Sequence, residues 1–449
     1  MMSKATISTR SPSEKAFLVG VDRFDQPSAL SIDDSLNELE LLALTAGLEV
    51  VGRTSQKLRH PDRKTYVGSG KVEEIKALAD DRLADVILFD DELSPRHQRE
   101  LEEVFGEAMR VVDRTALILD IFAQHAQTRE GSLQVELAQY QYRLPRLTRA
   151  WTHLARQAGG GAGRSGSVGG VGLRGPGETQ LEVDRREIGK RITRLQRELE
   201  KVRAHRGRHR ERRRRARIPT VALVGYTNAG KSTLLNRLAE SDVYVADQLF
   251  ATLDPTTRRI ELPGGRQVLV TDTVGFIQKL PTMLVAAFRA TLEEITEADL
   301  LLHVVDVTHP NLEAQAEAVR QTLDDIGVGR TSIITALNKA DLLESVEDAR
   351  ERLEEFEQAV IISAQTGDGL DDLLSAIERE LFEGMLQVKL RLPYSQGRLI
   401  SLFHEQGVVE NIRHTESAVV IEGRIPKRYG AEFEPFIVEP APASEAEAS

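Results

Sequence analysis

A glycine-rich turn between an apolar run and a helical segment constrains this chain more than any other feature. The letters TVALV precede the pattern Gly-x4-Gly-Lys-Ser, which runs from Gly225 to Ser232, and Leu234–Ala239 has helical spacing. Between a strand and a helix, this pattern forms a loop whose backbone N–H groups wrap phosphates. Lys231 is expected to reach the β- and γ-phosphates, and the Ser232 hydroxyl to ligate Mg²⁺. The candidate phosphate-binding residues are Gly225, Tyr226, Thr227, Asn228, Ala229, Gly230, Lys231, Ser232 and Thr233.

A second acidic motif ends a later strand. Asp272-x-x-Gly275 follows the run VLVT. Asp272 is expected to hold Mg²⁺ through water, and the Gly275 N–H to contact the γ-phosphate. The motif alone is weak because acidic residues commonly end strands, but behind a phosphate loop it predicts a nucleoside triphosphatase. The candidate residues are Asp272, Thr273, Val274 and Gly275.

Two further elements predict that the base is guanine. Asn-Lys-Ala-Asp follows the predicted strand Ser332–Leu337, and Ser-Ala-Gln follows Val360–Ile362. The Asp341 carboxylate can accept from guanine N1–H and the exocyclic amine together, whereas adenine would leave it unpaired. Lys339 is expected over the base plane, and the second element to donate backbone N–H to the guanine oxygen. The candidates are Asn338, Lys339, Ala340, Asp341, Ser363, Ala364 and Gln365.

A threonine must also close over the γ-phosphate and give Mg²⁺ a second hydroxyl. The switch segment Phe250–Asp254 lies between the two phosphate motifs, and we select Thr252, with Thr256 and Thr257 as competitors. The segment is expected to be ordered by GTP. The switch-segment candidates are Phe250, Ala251, Thr252, Leu253 and Asp254. The predicted metal ligands are Ser232 and Thr252, and the predicted catalytic residues are Lys231, Thr252, Asp272 and Gly275.

Phe276 departs from a common pattern of this fold. Many related GTPases carry a glutamine there to orient the attacking water, which phenylalanine cannot do. One interpretation is that a partner completes the site and that intrinsic hydrolysis is slow. The other is that Phe276 packs into the core and a different group of the same chain holds the water.

The N-terminal part alternates strand-like and helical runs, which predicts a mainly parallel sheet covered by helices. The predicted strands are Ala16–Val21, Leu48–Gly52, Asp85–Phe89 and Met109–Val112. The predicted helices are Ile32–Ala46, Val72–Asp81, Pro95–Phe105 and Ala116–Ala126, with another from about Leu133.

The fold class is therefore a multidomain α/β protein. The predicted parts are an N-terminal parallel α/β domain (1–130), a long helical hairpin with a Gly-rich tip and a basic helix (131–217), a P-loop domain (218–384), a small C-terminal α+β domain (385–438) and an acidic disordered tail (439–449). The hairpin is predicted because the Gly-rich loop 159–177 separates two helices. The second helix carries an a/d stripe: Ile188, Ile192, Leu195, Leu199 and Val202.

Charge is distributed unevenly along the chain. The net charge is −11, yet Arg185–Arg217 holds sixteen Lys or Arg and four Asp or Glu, which gives a local charge of +12. Such a focused basic patch is typical of RNA contact through phosphates, although a solvated helix face is the alternative. Cysteine is absent, which fits a reducing compartment. We find no signal-peptide pattern and no long apolar run, so no membrane-spanning helix is expected.

Several segments together resemble one family. Tyr66–Ile75 (YVGSGKVEEI), Glu92–Leu101 (ELSPRHQREL), the Gly-rich loop and Gly175–Arg186 (GPGETQLEVDRR), with the switch segment and Phe276, are similar to the HflX family of translational GTPases. The resemblance covers about Ala16 to Gly384 and is less diagnostic beyond Leu386. It implies a cytoplasmic, monomeric protein that binds the large ribosomal subunit and the 70S ribosome and splits stalled ribosomes under stress; peripheral membrane association stays open.

Two other functions stay open. One is an RNA-binding scaffold that uses GTP as a structural switch with negligible turnover, an alternative that Phe276 leaves open. The other is an ATP-driven RNA remodeller. Gly68-Ser69-Gly70-Lys71 superficially resembles a second nucleotide loop, but Thr65 stands where the first glycine belongs.

Overall fold

The chain folds around three β-sheets, as a computed structural model shows. The structure describes residues 13–25, 30–147, 180–216, 218–239, 249–250, 252–279, 289–328, 331–343, 352, 356, 358–383, 385–426 and 429–440, and the statements below concern these. The Gly-rich loop, Ala251 and the residues from 441 onward lie outside the described part of the chain.

The N-terminal sheet is fully parallel, as predicted. Its strands lie in the order β2-β1-β3-β4. They are β1 (Lys15–Arg23), β2 (Glu49–Leu58), β3 (Val86–Phe89) and β4 (Arg110–Asp113). The helices are α1 (Ile32–Thr45), α2 (Ser69–Asp81), α3 (Pro95–Phe105) and α4 (Arg114–His125). Parallel strands require crossovers, and these helices provide them.

Most of these elements differ from their predicted bounds by one or more residues, and for three of them the structure shows the reason. β2 continues to Leu58 because its polar half lies at the sheet edge, where alternate side chains face solvent. α2 begins at Ser69, directly after the Gly68 cap, and not at Val72. α4 begins at Arg114 because the Asp113 carboxylate accepts the backbone N–H of Ala116, an N-cap that the apolar pattern does not reveal.

A helical hairpin follows. Its helices are α5 (Arg129–Arg143) and α6 (Gln180–Ala216). They run antiparallel, since Arg129 pairs with Glu198 while Arg191 pairs with Glu136. Of the predicted stripe, Leu195 and Leu199 are buried against Leu133. The boundary predicted at residue 131 falls inside the first turn of α5.

The stripe thins towards the tip of the hairpin. Ile188 and Ile192 are only half-buried, and so is Val202 at the other end.

The middle sheet has six strands in the order β10-β9-β8-β5-β7-β6. All pairs are parallel except the edge pair β6–β7. The elements are β5 (Thr220–Gly225), α7 (Lys231–Leu238), β6 (Thr256–Glu261), β7 (Gln267–Asp272), α8 (Arg289–Thr296), β8 (Leu300–Asp306), α9 (Leu312–Asp325), β9 (Ile333–Asn338), β10 (Ala359–Ile361) and α10 (Leu370–Glu378). α7 begins at Lys231, three residues before its predicted start, because its first turn belongs to the phosphate loop.

The C-terminal sheet is antiparallel, in the order β12-β13-β11-β14. Its elements are β11 (Met385–Pro393), α11 (Gly397–Gln406), β12 (Val408–His414), β13 (Ala418–Pro426), α12 (Gly430–Phe433) and β14 (Ile437–Pro440). β14 was not predicted. Residues 439 and 440 therefore belong to a strand, and the predicted start of the acidic tail at 439 is wrong; the strand has only four residues, and its last two, Glu439 and Pro440, are of types depleted in strands.

One apolar cluster joins the N-terminal domain to the middle sheet. Leu18 and Phe122 of the N-terminal domain belong to the same buried cluster as Val224, Phe250 and Phe276. Burial of apolar area stabilises such contacts by about 25 cal/mol per Å². The two parts are therefore packed against each other close to the predicted phosphate loop.

Candidate nucleotide-binding site

The loop between β5 and α7 adopts a conformation that only particular residues permit. Gly225 and Gly230 have φ of +152° and +94°, and Asn228 has φ of +60°. A Cβ at Gly225 would collide with the Val304 carbonyl oxygen, and one at Gly230 with the Asn338 side-chain nitrogen. The two glycines therefore let the loop close against the sheet edge, as a phosphate-binding loop requires.

Lys231 is folded back into this loop. Its Nζ donates to the carbonyl oxygens of Gly225 at 3.0 Å and Tyr226 at 2.7 Å. Burial lowers the pKa of Lys231 to about 8, and the nearby Asp272 carboxylate only partly opposes this shift. The buried amine of Lys231 bonds only neutral carbonyl oxygens here, and bonds to anionic phosphate oxygens would be stronger.

Two predicted hydroxyl groups bond the same oxygen of a predicted carboxylate. Asp272 Oδ2 accepts from Ser232 Oγ at 2.6 Å and Thr252 Oγ1 at 2.9 Å, and the two hydroxyl oxygens are 2.8 Å apart. Asp272 Oδ1 is buried and has no hydrogen-bond partner in the described structure. Burial raises the pKa of Asp272. Two hydroxyls around a half-satisfied carboxylate are the hard oxygen donors that Mg²⁺ prefers, so the residues fit this ion.

The competitors for Thr252 lie elsewhere. Thr257 is in β6, and its hydroxyl lies 2.9 Å from that of Thr271 across the strand pair. Thr256 is the first residue of β6. Of the three threonines, Thr252 is therefore the one that the structure brings to Ser232.

The turn after β7 closes over the phosphate loop. A Cβ at Gly275 would come within 2.8 Å of Thr227 Cα and 3.1 Å of Lys231 Nζ. The side chains of the two preceding predicted residues make contacts that stabilise the fold. The Thr273 hydroxyl donates to the Leu223 carbonyl at 2.6 Å, and Val274 is buried. Glycine is thus required where the chain passes Lys231 most closely.

Phe276 is fixed in the core. Its N–H donates to the Gly225 carbonyl at 3.0 Å, and its carbonyl accepts from Thr227 N–H at 2.8 Å. Its side chain is 2% exposed. It therefore serves packing and cannot orient water, which is compatible with both sequence interpretations.

The predicted base-binding residues lie at the ends of β9 and β10. Asn338 Nδ2 donates to the Ala229 carbonyl at 2.8 Å, and Asn338 Oδ1 accepts from Ala364 N–H at 2.9 Å. Asp341 Oδ1 accepts from Ser363 Oγ at 2.6 Å. Asn338 thus ties the phosphate loop to the two base-binding elements.

Among the other base-binding candidates, two are bonded within the protein and two are exposed. Lys339, with φ of +68°, pairs with Asp306 at 2.7 Å. Ala340 N–H donates to the Ile362 carbonyl at 3.2 Å. Asp341 and Gln365 are exposed. Asp306 was missed from the sequence, since nothing marks a strand-end aspartate as the partner of a lysine that follows the neighbouring strand.

Side chains of the switch segment are engaged with the N-terminal half of the chain. Phe250 packs edge-to-face on Phe122 at 4.7 Å, and Leu253 is buried in the joint apolar cluster. Asp254 Oδ2 accepts the backbone N–H of Gln127 at 3.0 Å and of Thr128 at 2.7 Å. Asp254 was predicted to contact the nucleotide, but these contacts direct its carboxylate to the start of α5.

The phosphate loop also contacts the N-terminal domain. The Tyr226 hydroxyl donates to Glu38 of α1 and accepts the Gln278 N–H at 2.8 Å. Glu38 pairs with buried Arg114, which also bonds Asp90 at 2.7 Å. No local sequence signal could have found these partners, because they lie far apart along the chain.

A second ion pair joins the same regions. Lys279 pairs with Asp90 and, at 2.8 Å, with Asp91.

The loop Gly68–Lys71, which superficially resembles a nucleotide loop, lies at the start of α2 in the N-terminal domain. Gly68 caps α2, and Lys71 pairs with Glu74 at 2.7 Å. A second nucleotide site at that loop stays a hypothesis.

The phosphate loop, the Asp-x-x-Gly turn and the Asn-Lys-x-Asp element meet at the carboxyl edge of one parallel sheet. Together with this sheet order they define a P-loop GTPase. Comparison with family models narrows the class: residues 33–123 match "GTP-binding GTPase N-terminal", 125–213 "GTP-binding GTPase Middle Region", 220–357 "50S ribosome-binding GTPase" and 348–439 "HflX C-terminal domain". The chain belongs to the HflX family of GTPases.

Curated relatives agree over nearly the full length. The chain is 46% identical over 425 residues to a GTPase HflX of Caldanaerobacter subterraneus subsp. tengcongensis, covering 95% of this chain and 94% of the relative. It is 46% identical over 395 residues to GTPase HflX of Escherichia coli K12, covering 88% and 90%. The match confirms the resemblance seen in the motifs and extends it to the C-terminal domain, where the motifs were less diagnostic.

A solved structure of a GTP-binding protein from Sulfolobus solfataricus with GDP is similar at a TM-score of 0.41 and 24% identity, covering 82% of this chain and 98% of that one. The family and its GTPase domain establish that the chain binds GTP and hydrolyses it. In the described part of the chain, each helix is too short or too polar to cross a bilayer.

Proposed function

We propose that this GTPase requires Mg²⁺, binds the large ribosomal subunit and the 70S ribosome, and couples GTP binding and hydrolysis to subunit dissociation and rescue of stalled ribosomes under stress. It would act in the cytoplasm as a monomer. Support comes from the family description of residues 220–357 as a 50S ribosome-binding GTPase. The observation that carries the chemical part is the convergence of Ser232, Thr252 and Asp272.

At the phosphate end, Lys231 exchanges its two carbonyl partners for β- and γ-phosphate oxygens, and the Gly275 N–H contacts the γ-phosphate. Ser232 and Thr252 would ligate Mg²⁺, and Asp272 would hold it through water. The ion would neutralise charge that develops on the phosphate oxygens. At the other end, the exposed Asp341 carboxylate accepts from the guanine N1–H and amine.

Water positioning is the step for which this chain lacks a side chain at the usual place. Phe276 is buried, so the attacking water must be oriented by a group elsewhere. We propose that the ribosome supplies or positions this group, and that turnover on free protein is slow. Placing one catalytic group in a partner is a known way of making GTP hydrolysis conditional.

The proposed RNA contact is the basic segment Arg185–Arg217 together with the Gly-rich loop. α6 has 37 residues, which corresponds to about 55 Å of helix at 1.5 Å per residue. It ends four residues before β5 begins, and β5 leads directly into the phosphate loop. Contact between this basic segment and the phosphates of the RNA backbone would be salt-sensitive and largely independent of RNA sequence.

GTP turnover should be measured with free protein, with 50S particles and with 70S particles, and subunit separation followed by sucrose-gradient sedimentation. We expect turnover to rise at least tenfold with 50S or 70S particles, by analogy with partner-completed GTPases. Unchanged turnover would contradict ribosome stimulation. Intact 70S particles in the gradient would contradict the dissociation step alone.

Reversal of charge at Arg212–Arg215 to glutamate tests the RNA contact separately. Binding to 50S particles at moderate salt should weaken, and the slope of log affinity against log salt should become shallower. GTP binding to the free protein serves as the control and should not change. Unaltered ribosome binding would identify this run as a solvated helix face.

Burial of Phe276 also favours a second function: an RNA-binding scaffold in which GTP is a structural switch. In that case GTP would strengthen ribosome binding, while turnover would stay near zero with every particle. The ATP-driven alternative has no support from the base-binding residues, because Asp341 matches guanine. Competition by ATP for the GTP site would support the ATP-driven alternative.

A further inference from the structure

The switch segment is held from two sides. On one side Thr252 contacts Ser232 and Asp272. On the other side, Phe250 packs on Phe122 of α4, and Asp254 bonds the residues that open α5. Phe250 also has φ of +58°, an unfavourable conformation for a side chain of this size, so the surrounding contacts must maintain it.

The contact between Asp254 and α5 continues a helix cap. Thr128 is the N-cap of α5, and its hydroxyl oxygen accepts the Gly131 N–H at 3.0 Å. The same hydroxyl donates its proton to Asp254 Oδ1. With the backbone N–H groups of Gln127 and Thr128 on Oδ2, the carboxylate receives three hydrogen bonds at the positive end of the helix dipole.

Gly131 provides the space for this carboxylate. A Cβ at Gly131 would stand 2.5 Å from Asp254 Oδ1 and 3.2 Å from its Cγ. Glycine weakens a helix interior relative to alanine, so its presence in the first turn of α5 needs a reason. The approach of Asp254 is that reason.

We propose that the first turn of α5 is the anchor of the switch segment, and that Gly131, Thr128 and Asp254 are positioning residues for GTP hydrolysis. They act through Thr252, which lies two residues before Asp254 and whose own place depends on this attachment. The inference rests on the proposed role of Thr252 at the metal. It also connects that role to the hairpin, since α5 is the first hairpin helix.

The decisive variant is Gly131→Ala, because Gly131 is not itself a predicted nucleotide-binding residue and alanine favours the helix. Its added methyl displaces the Asp254 carboxylate. We expect kcat to fall about tenfold, the loss that accompanies one missing hydrogen bond to a charged group. Affinity for a non-hydrolysable GTP analogue should fall similarly, while affinity for GDP should not change, because Thr252 would ligate the metal only when a γ-phosphate is bound.

Gly397→Ala is the matched control. Gly397 is also in the first turn of a helix, α11, and a Cβ there meets nothing within 4 Å. This variant should keep wild-type kcat and nucleotide affinities. If Gly131→Ala also keeps the wild-type kcat and ratio of GTP-analogue to GDP affinity, the anchor proposal is overturned.

A double-mutant cycle separates positioning from general destabilisation. In an Asp254→Ala background, Gly131→Ala should have no further effect on kcat, because the contact that it breaks is already absent. Additive losses would overturn the proposal. If Gly131→Ala does not fold, Thr128→Val removes the same hydroxyl link with similar volume and should give the same loss of kcat and of analogue affinity; wild-type values would overturn the proposal.

Thr252→Ala distinguishes this inference from the function on which it rests. An unchanged affinity for the GTP analogue in Thr252→Ala would contradict the proposed metal role, and the anchor with it. A weakened affinity in Thr252→Ala with wild-type behaviour in Gly131→Ala would contradict the anchor alone.

Discussion

The two ends of the nucleotide site are held by different parts of the molecule. At the phosphate end, Tyr226, Asp254 and Lys279 bond residues of α1, the start of α5 and the turn after β3. At the base end, the contacts of Asn338 and Asp341 stay within the P-loop domain that carries them. The base end is therefore complete within its own domain, whereas the geometry of the phosphate end depends on the N-terminal half.

Burial differs in the same way. Lys231 and Asp272 are 6% and 2% exposed, and burial shifts both pKa values towards the neutral forms. Asp341 is exposed. Electrostatic interactions gain strength where water is excluded. Changes at the phosphate end should therefore cost more, and should report on contacts with the N-terminal half, while changes at the base end should affect nucleotide choice alone.

The largest expected effect is that of Lys231→Ala. Loss of the buried ammonium should lower kcat/KM for GTP at least a hundredfold, the usual cost of removing one preorganised charge-stabilising group. Lys339→Ala is the matched change at the base end, where the lysine is partly exposed, and should lower kcat/KM less than tenfold. Steady-state GTP hydrolysis measures both. Equal losses would remove the distinction between the two ends, and normal turnover in Lys231→Ala would overturn the site assignment.

Asp341→Asn tests whether the base end controls nucleotide choice alone. Loss of two hydrogen bonds to a charged acceptor should weaken GTP and GDP equally, by roughly ten- to a hundredfold. Xanthine nucleotides carry a carbonyl in place of the guanine amine, and the new amide can donate to it, so their affinity should rise. Fluorescent-nucleotide titration checks this. A larger loss for GTP than for GDP would mean that the base end also senses the γ-phosphate.

The same division decides what the sequence could predict. Residues 218–239 were interpretable because each role is carried by a short local pattern, Gly-x4-Gly-Lys-Ser between strand and helix. The apolar alternation also predicted the N-terminal sheet and hairpin. Asp254 shows the limit: its position in the switch segment predicted a nucleotide contact, yet its carboxylate bonds α5, 126 residues away in sequence.

Contacts of this kind depend on how two separately folded parts pack, which periodicity cannot reveal. The Tyr226–Glu38 bond joins residues 188 positions apart. β14 was missed for a different reason: it has only four residues, and two of them, Glu439 and Pro440, are of types depleted in strands, so its pairing with β11 is what defines it.

Tyr226→Phe probes the contact between the phosphate loop and the N-terminal domain. It removes the donor to buried Glu38 and the acceptor of the partly buried Gln278 N–H, and should lower the free energy of unfolding by about 1–3 kcal/mol. Tyr394→Phe is the matched control, because its hydroxyl donates to the Thr415 carbonyl at 2.9 Å on an exposed surface. Its cost should be about 0.5 kcal/mol or less. Urea denaturation gives both values, and equal costs would argue against a coupled interface.

The smallest expected effect is a pH dependence at Lys231. Burial lowers its pKa to about 8 in the folded protein, below its ordinary value of 10.5. Between these values the unfolded chain binds the proton and the folded chain does not, so stability should rise with pH across this window. Phosphate binding requires the ammonium form. Proton uptake should therefore accompany GDP binding, and affinity should fall about fivefold from pH 8 to 9.

Isothermal titration calorimetry of GDP in buffers of different ionisation enthalpy measures this uptake directly. Above pH 8 the phosphates of GDP are already fully ionised, so uptake there comes from the protein. Asp341→Asn is the informative comparison, because it weakens affinity at the base end and should leave the number of protons taken up unchanged. If that number falls in Asp341→Asn, the two ends are coupled through Asn338 and the phosphate end is not governed by the N-terminal half alone.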